Sequence, residues 1–438
     1  MGVPTVSVIT QSFNDLVTST AFKKGIPNMR MVFTPHPVTD RPPDLCRRYI
    51  EGNDTVSGKP MIDVIVEGLT KPVTAEDQQA GIISRPARPR LLEPMTATEL
   101  EKYFLENDFT DGFPVVLPTL DRVSAMLKAT SREPGEIVGK MRPSDPHEAW
   151  EYTVEMVATN AVMAGAKPEY FPAILAMAST GVTSLFSSTA SFARMGVFNG
   201  PITKEINMNS GIGAMGPFNH ANSTIGRAWT LISKNLGGSG KAGETYLGSQ
   251  GTPMNFSNIC FPEAEGELPE GWAPLHVQKG FRPSESVVSL FSGWSLNNVA
   301  WFSPMPIHDV LRGWLEHFFS TSNSSATFIM DPTVAKDIAD AGFKTKEAYA
   351  EYLAKNTGTP AWLYWQTRQG ELEKARQGVE PFAEYLKLGD NGVIPVSRFA
   401  GRGGRIPIEI VITGGSTNAY WFGGDFSHVT STSIDKWR

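Results

Sequence analysis

The sequence predicts an α/β half-domain with a parallel sheet, followed by a larger α+β domain. At 438 residues the chain exceeds the roughly 250–300 residues at which one hydrophobic core stops growing, so two domains are expected. Strand and helix patterns alternate over residues 1–80, whereas long helices with irregular connections follow Thr96. We therefore divide the chain into a partial flavodoxin-like or Rossmann-like domain at 1–80, a linker at 81–95 and a large α+β domain at 96–438.

The first domain opens with a parallel crossover unit. A β-branched run at residues 4–10 precedes helical spacing from Asn14 to about Lys24. A second β run at Met29–Thr34 precedes a helix from Asp44 towards Ile50. Two short strands do not make a stable parallel sheet that is covered on both faces. The missing strands could come from residues 76 onward, from an upstream segment or from a second protein chain.

Residues 81–94 favour the last two sources of strands. They form an extended pattern rich in Pro and Arg, and a capped helix instead of a strand begins at Thr96–Glu99. We therefore expect a second protein chain, or a lost upstream segment, to complete the N-terminal sheet. The assembly is expected to be a higher oligomer.

Composition argues against two classes of partner. The net charge is −6 and no basic tract recurs, so nucleic acid is not an expected partner. No apolar run reaches the ~18–20 residues that span a bilayer, and no signal peptide opens the chain, so no membrane partner is expected. Two cysteines, Cys46 and Cys260, are too few for a disulfide framework. These features predict a cytoplasmic location.

The densest polar segment runs from Asn199 to Thr224 and is rich in Gly and Asn. Glycine permits close backbone approach, and Asn222 and Ser223 are good caps for a helix that begins near Thr224. Free N–H groups there, beside amide side chains, suit an anionic substrate. The alternative is a buried loop held together by amide hydrogen bonds. The candidate substrate-binding residues in this region are Asn209, Asn219, His220, Asn222 and Arg227.

A second segment combines a thiol, two carboxylates and an imidazole, on Cys260, Glu263, Glu265 and His276. These groups can bind a metal ion or carry out acid–base chemistry, so Cys260, Glu263 and His276 are candidate catalytic residues. The sequence leaves the identity of any metal or cofactor unknown. The alternative is a core cysteine beside a solvated acidic turn.

Two further segments place polar groups where a strand ends. The β run from Val411 enters a Gly-rich loop in which Ser416 and Asn418 are candidate substrate-binding residues, and an ordinary strand-to-turn junction is the alternative. In the first domain, Thr10–Ser12 and His36 fall at the carboxyl ends of parallel strands, where open α/β sheets bind ligands. His36 is therefore a further catalytic candidate, although a loop role between two prolines is the alternative.

Residues 1–75 carry Gly2–Val6, the Ile26-Pro27 break and Pro35–Pro37, and through these they resemble the later part of the UGSC family. That family is named for a selenocysteine or cysteine followed by Gly-Ser-Cys. The remainder is similar to the large domain often found with it, at 109–119, Asn160–Gly165, Asn199–Pro201, Asn222–Arg227 and Ser433–Arg438. The Cys-Gly-Ser-Cys segment is absent here. The resemblance implies that a low-pKa thiol or selenol centre lies on a partner chain or is not used.

Three functional hypotheses follow. The first is a subunit of a heteromeric cytoplasmic enzyme, an oxidoreductase or lyase, that acts on a small polar or anionic substrate by thiol-dependent redox or bond-cleaving chemistry. The second is a metal-assisted hydratase or lyase that uses Cys260, Glu263, Glu265 and His276. The third is a non-catalytic binding or scaffold subunit. The first hypothesis places the site in a cleft between the two domains, where the substrate is held by Asn209, Asn219, Asn222 and Arg227.

Overall fold

The computed structural model describes residues 4–23, 25–39, 41–74, 89–141, 151–186, 189–300, 304–319, 325–395 and 408–438. Residues 81–88 of the predicted linker lie outside these ranges. Within the described ranges, no helix has both the length and the apolar character needed to cross a bilayer.

The N-terminal unit, residues 4–74, contains a small parallel sheet covered by helices. Strands β1 (Ser7–Thr10) and β2 (Met31–Thr34) are parallel, and their pairing runs from Ser7 with Met31 to Thr10 with Thr34. The helices of this unit are α1 (Asn14–Lys23), α2 (Pro43–Glu51) and α3 (Met61–Thr70). The predicted parallel sheet is confirmed, and α3 is a helix that the sequence analysis did not identify.

Large apolar side chains remain exposed on this unit. Val8 of β1 is 52% exposed and Val66 of α3 is 51% exposed. The same is true of Phe22, Ile26, Ile62, Leu69 and Val73. A two-stranded sheet buries little apolar surface, so completion of this sheet by further elements stays our prediction.

The buried carboxylate of Asp54 joins β2 to the turn before α3. Its oxygens accept hydrogen bonds from the backbone N–H groups of Phe33 (2.5 Å), Val56 (3.1 Å) and Ser57 (2.5 Å). Burial raises the pKa of Asp54, but the hydrogen bonds from Ser57, Phe33 and Val56 outweigh that effect and hold the pKa below its ordinary value. The charged carboxylate therefore stabilises the folded unit.

The large unit follows with helices and strands of both parallel and antiparallel pairing. Its helices are α4 (Ala97–Glu106), α5 (Leu120–Leu127), α6 (Val154–Met163), α7 (Phe171–Ser179), α8 (Ile202–Glu205), α9 (His220–Asn235), α10 (Leu275–Gln278), α11 (Ile307–Phe319), α12 (Pro332–Asp340), α13 (Lys346–Asn356), α14 (Ala361–Thr367), α15 (Gln369–Arg376) and α16 (Phe382–Leu386). Its strands are β3 (Ile137–Lys140), β4 (Glu151–Thr153), β5 (Ala193–Asn199), β6 (Ile259–Pro262), β7 (Val287–Gly293), β8 (Leu296–Ala300), β9 (Ala326–Met330), β10 (Gly358–Pro360), β11 (Val393–Pro395), β12 (Ile408–Ile412), β13 (Tyr420–Gly424) and β14 (Ser427–Ser433). These elements confirm a mixed α+β architecture.

Two four-stranded sheets of the large unit face each other. The first sheet has the order β14-β7-β5-β6, with β5 parallel to β6 and antiparallel to β7. The second has the order β12-β9-β13-β8, with β12 parallel to β9. Because side chains alternate between the faces of a strand, each sheet has an inner and an outer face. Met195 and Phe261 of the first sheet pack with Ile329 and Val411 of the second in one buried cluster.

Helices cover the outer face of each sheet. Cys260 and Leu290 of the first sheet belong to a buried cluster with α6, α7 and α9. Phe328 and Ile410 of the second sheet belong to another cluster with α11, α12 and α13. The core is therefore layered as helices, sheet, sheet and helices.

The C-terminus packs into the first helical layer. Trp437 is buried in the cluster that contains α6, α7 and α9. Thr130 Oγ1 donates a hydrogen bond to the carbonyl of Trp437 (2.6 Å), and Arg132 Nε donates to the carbonyl of Lys436 (3.0 Å). The Arg132 guanidinium also lies 5.2 Å from the centre of the Trp437 ring. These contacts hold the chain terminus against residues 130–132.

Asp54→Asn is expected to lower the stability of the N-terminal unit by about 1–3 kcal/mol at pH 7, because hydrogen bonds to a charged group are lost. The folded-state pKa of Asp54 is lowered, so its stabilisation is present above the unfolded-state pKa of about 3.9 and disappears as the pH falls through the folded-state value. Hydrogen exchange of the β2 amides measures the effect. The difference between wild type and variant should shrink below about pH 4. Glu51→Gln, at the exposed end of α2, is the control; an equal loss in both variants would contradict the assignment.

Candidate functional site

The two Gly-rich segments of the large unit meet in the structure. We call residues 207–219 the Asn/Gly loop and residues 413–419 the strand-end loop. The carbonyl of Ser210 accepts hydrogen bonds from Gly414 N (2.8 Å) and Thr413 Oγ1 (3.2 Å). A Cβ on Gly415 would lie 2.1 Å from Cγ1 of Ile212, so a larger residue here would displace that side chain. Segments about 200 residues apart thus form one structure.

The joined loops border a cavity of about 600 Å³. This volume lies within the range of small-molecule sites in proteins. Apolar walls come from Ile212, Met215, Met254, Ile259, Leu296, Ile329 and Phe422. Polar lining groups come from Ser257, Asn258, Asp331, Thr413, Thr417 and Tyr420. A mostly apolar cleft with a few polar side chains is typical of a binding site for a small organic molecule.

Asp331 is the one carboxylate among the described residues that line the cavity. It follows β9 and is the N-cap of α12, where its Oδ1 accepts a hydrogen bond from Val334 N (2.8 Å). Its Oδ2 accepts from Tyr420 N (2.8 Å). Burial raises the pKa of Asp331, and the backbone hydrogen bonds offset only part of that rise. Backbone groups from the first turn of α12 and from the start of β13 thus hold the carboxylate in the wall.

Two polar atoms of lining residues have no hydrogen-bond partner in the described part of the chain. Asn258 is 7% exposed, and its Nδ2 donates to Gly226 O and to Thr230 Oγ1, both at 2.9 Å. Its Oδ1 is unpaired, as is Nε1 of Trp421, which is 1% exposed. Such atoms are rare in folded proteins, because each costs about 1–3 kcal/mol. Both atoms are buried, and the side chain of Trp421 packs in the cluster on the outer face of the second sheet.

The predicted substrate-binding asparagines hold the Asn/Gly loop in shape. Asn222 is 3% exposed, and its Nδ2 donates to the carbonyls of Asn209 and Ala214, both at 2.9 Å. Asn219 Oδ1 accepts from Asn222 N (3.0 Å) and is the N-cap of α9. The helix therefore begins at His220, and the expectation of caps at Asn222 and Ser223 is corrected. These contacts agree with the alternative of a loop held by amide hydrogen bonds.

The guanidinium edge with which Arg227 could bind a substrate is already paired with a protein carboxylate. Its Nε and Nη2 donate to the two carboxylate oxygens of Asp111, each at 2.8 Å, and Nη2 also donates to Pro114 O (2.8 Å). This bidentate pair occupies the fork with which arginine binds a carboxylate. Arg227 thus anchors the segment after α4 to α9. His220, at the exposed start of α9, lies with its ring 5.8 Å from that of Tyr170.

Cys260 lies on the helical side of the first sheet. It is 5% exposed, and burial raises the pKa of its thiol to about 12. A thiol with this pKa is protonated at neutral pH, and only a thiolate is an effective nucleophile or metal ligand. Cβ atoms added to Gly196 and Gly226 would lie 3.3 Å and 3.2 Å from its sulfur, so neighbouring backbone encloses it. The structure therefore favours the core-cysteine alternative over a catalytic Cys260.

Glu263 directly follows β6, and both of its carboxylate oxygens accept hydrogen bonds from protein groups. Its Oε1 accepts from Lys346 Nζ (2.5 Å) and Ile412 N (3.4 Å), and its Oε2 accepts from Asn199 Nδ2 (2.9 Å) and Leu275 N (2.6 Å). The side chains of Lys346 and Glu263 are 2% and 0% exposed. Glu263 is thus a buried structural carboxylate.

His276 and Glu265 lie beside this network. The imidazole of His276 is fully buried, with Nδ1 3.7 Å from Glu265 Oε1. Glu265 Oε1 also accepts from Asn199 Nδ2 (2.9 Å) and Gly200 N (2.8 Å). Among the described residues, no group of three or more His, Cys, Asp or Glu side chains is placed to hold a metal ion.

The remaining predicted site residues are exposed. Ser416 and Asn418 lie in the strand-end loop on either side of Thr417, which is the member of the three that lines the cavity. In the N-terminal unit, Thr10 Oγ1 and His36 Nδ1 are hydrogen-bonded at 3.0 Å, just beyond the carboxyl ends of β1 and β2. The structure thus places Thr10 and His36 at the strand ends, where the sequence predicted them, and a catalytic role for His36 stays a prediction.

Asp331 and Asn258 are site residues that the sequence analysis missed. Asp331 had a recognisable signal, because Asp-Pro directly after an apolar β run is typical of a capped helix at the end of a strand. Asn258 had none, since its place in the cavity wall depends on the packing of residues 253–259 against α9.

Lys346→Met is expected to lower the free energy of unfolding by about 3–5 kcal/mol, because it leaves the buried Glu263 carboxylate without its counter-charge. Urea denaturation at pH 7 measures the change. The control is Lys336→Met on the neighbouring helix α12, where the lysine side chain is 71% exposed and pairs with Asp340; its effect should stay within about 0.5 kcal/mol. Adding Glu263→Gln to Lys346→Met should recover part of the loss. A single-variant effect as small as that of the control would refute the buried pair.

A comparison with known families found one match, in the N-terminal unit. The model of the UGSC family matches residues 1–52. No curated protein and no solved structure matches the chain. The match covers β1, α1, β2 and α2, so it confirms the resemblance for that segment, whereas the likeness of the large domain stays a prediction. Residues 1–52 are therefore similar to the UGSC family, and this match is confined to the N-terminal unit.

Proposed function

We propose that the chain is a subunit of a heteromeric cytoplasmic enzyme that binds a small polar substrate in the 600 Å³ cavity. The observation that carries the proposal is the union of the Asn/Gly loop and the strand-end loop over that cavity. Both loops place glycines at the wall, Gly213 and Gly216 in the first loop and Gly414 and Gly415 in the second, so backbone as well as side chains borders the cavity. A wall of this kind fits closely around a small molecule.

The cavity wall favours a neutral or cationic polar substrate over an anionic one. Of the described lining residues, Asp331 carries a carboxylate and none is Lys, Arg or His. A substrate with an amine, amide or hydroxyl donor can donate a hydrogen bond to Asp331, since a carboxylate oxygen accepts more than one bond. The aromatic rings of Tyr420 and Phe422 supply flat apolar contact beside it.

The reactive thiol of the proposed enzyme comes from outside the described residues. Cys260 is buried with a strongly raised pKa, and Cys46 is a partly buried thiol on α2. The Cys-Gly-Ser-Cys segment of the family is absent from the sequence. A pair of cysteines there can reduce a substrate by two electrons while forming a disulfide, or one thiolate can attack the substrate and release a leaving group. The proposed class is therefore oxidoreductase or lyase.

The exposed apolar side chains of the N-terminal unit support a second protein chain as the source of that segment. Val8 lies on β1, and Ile62, Val66 and Leu69 lie on α3. Exposed apolar surface of this kind is typical of a protein interface. A partner that adds strands to β1 and β2 would cover it and complete the sheet.

The cavity is tested by blocking its mouth. Thr417→Trp places a large ring on an exposed lining position, and Lys387→Trp places the same ring on a distant exposed position. After incubation with a small-molecule extract, native mass spectrometry should detect one retained ligand on wild type and on Lys387→Trp, and at least tenfold less on Thr417→Trp. Equal retention by all three proteins would contradict the cavity as the binding site. No retention by wild type, even in its assembly, would favour the scaffold hypothesis.

The partner is tested on the apolar surface of α3. Val66→Glu puts a charge on a 51% exposed position, and the matched control Leu105→Glu does so on the 58% exposed Leu105 of α4. We expect Val66→Glu to weaken the natural heteromer at least tenfold, because burying an unpaired charge is unfavourable. Affinity purification with quantitative mass spectrometry of the companion chain measures this. Wild-type recovery with Val66→Glu would exclude α3 from the interface.

A further inference from the structure

Arg194 is a buried arginine on the outer face of the first sheet. It lies in β5, is 5% exposed, and alternates with Ala193 and Met195, whose side chains pack between the sheets. Its Nε donates a hydrogen bond to the carbonyl of Thr183 (2.8 Å), and its guanidinium carbon lies 5.4 Å from the centre of the Phe186 ring. These two contacts fix the plane of the guanidinium. Neither contact uses Nη1 or Nη2, the two nitrogens that form its outer edge.

The positive charge of Arg194 has no counter-charge among the described residues. Burial alone lowers the pKa of Arg194 to about 10, with no contribution from a neighbouring carboxylate, so the side chain is charged at neutral pH. Elsewhere the fold pairs such cations: the buried Lys346 has Glu263, and the half-buried Arg227 has Asp111. A buried charge without a partner is strongly unfavourable, and such a group indicates a site that an ion or ligand completes.

A row of polar residues connects Arg194 to the edge of the sheet. Arg194 of β5 pairs with Ser292 of β7, and Ser292 pairs with Ser427 of β14. Residues directly opposite each other in antiparallel strands have their side chains on the same face, so all three lie on one face of the sheet. Exposure rises along the row, from the buried Arg194 through the half-buried Ser292 to the exposed Ser427. The row thus leads from the edge strand to the guanidinium.

We propose that Arg194 binds the oxyanion group, a carboxylate or phosphate, of a small molecule, with the hydroxyl of Ser292 beside it. The guanidinium fork matches the geometry of both groups, and low local dielectric strengthens the bond. This site is separate from the cavity described above, because Ile259 and Ile329 of the cavity wall lie on the inner faces of the sheets. The two proposed subsites lie on opposite sides of the first sheet: the cavity would bind a neutral or cationic group, and Arg194 would bind an anionic group.

The test uses sodium phosphate and sodium acetate as probes, each compared with sodium chloride at equal ionic strength. Thermal unfolding and calorimetric titration of wild type should reveal saturable binding of at least one probe above chloride. Phosphate binding alone identifies a phosphate site, and acetate binding identifies a carboxylate site. Binding of neither probe would overturn the proposal.

Variants assign the binding to Arg194. Arg194→Met should weaken the bound probe at least tenfold, and Arg194→Lys, which keeps the charge but not the fork, at least fivefold. The control is Arg132→Lys, because Arg132 also lies over an aromatic ring and donates to a carbonyl but has Glu136 as its ion-pair partner; its affinity for the probe should stay at the wild-type value. If Arg194→Met does not fold, Arg194→Lys decides. Wild-type affinity in a folded Arg194 variant would rule the site out.

Discussion

The buried ion pair of Glu263 and Lys346 is the interaction on which the layered core of the large unit depends. Glu263 follows β6 of the first sheet, Lys346 begins α13 on the far side of the second sheet, and Ile412 N, at the end of β12, donates to the same carboxylate. A charge this deep is tolerated only when every partner is in place. The pair therefore fixes the two sheets relative to each other, and a shift of either sheet would leave an uncompensated charge in the core.

The position of the cavity follows from that constraint. Ile412 is followed directly by Thr413, whose Oγ1 donates to Pro262 O (3.0 Å) and to Ser210 O (3.2 Å). The carboxylate that orders the end of β12 thus also determines where the strand-end loop meets the Asn/Gly loop. Gly414 N donates to the same Ser210 carbonyl, and Asn222 Nδ2 holds the Asn/Gly loop by donating to the carbonyl of Asn209. The asparagine side chains that the sequence suggested as ligand groups hold the two loops in shape, and the cavity wall beside them is where we propose that the ligand binds.

The sequence predicted what depends on local pattern and missed what depends on distant partners. Strand β1 and helix α1 were predicted to within a few residues because their signal is periodic and local. The roles of Arg227 and Glu263 could not be predicted, since Asp111 lies 116 residues from Arg227 and Lys346 lies 83 residues from Glu263. Residue type alone does not tell a ligand-binding guanidinium from one that pairs with a protein carboxylate. The same limit applies to Arg194, because residue type does not show that the described residues place no carboxylate beside it.

In the enzyme that we propose, each of the two units would lack a part that the other or a partner must supply. The large unit has a rigid cavity, but its own thiol, Cys260, is buried and protonated. The N-terminal unit has a thin sheet with exposed apolar side chains, but Thr10 and His36 lie hydrogen-bonded at its carboxyl edge. Parallel strands added to β1 and β2 would bring their own carboxyl ends to this edge, because all strands of a parallel sheet point the same way. In the proposed heteromer, a thiol on such a loop would lie near the imidazole of His36, and the reactive site would be complete only in the assembly.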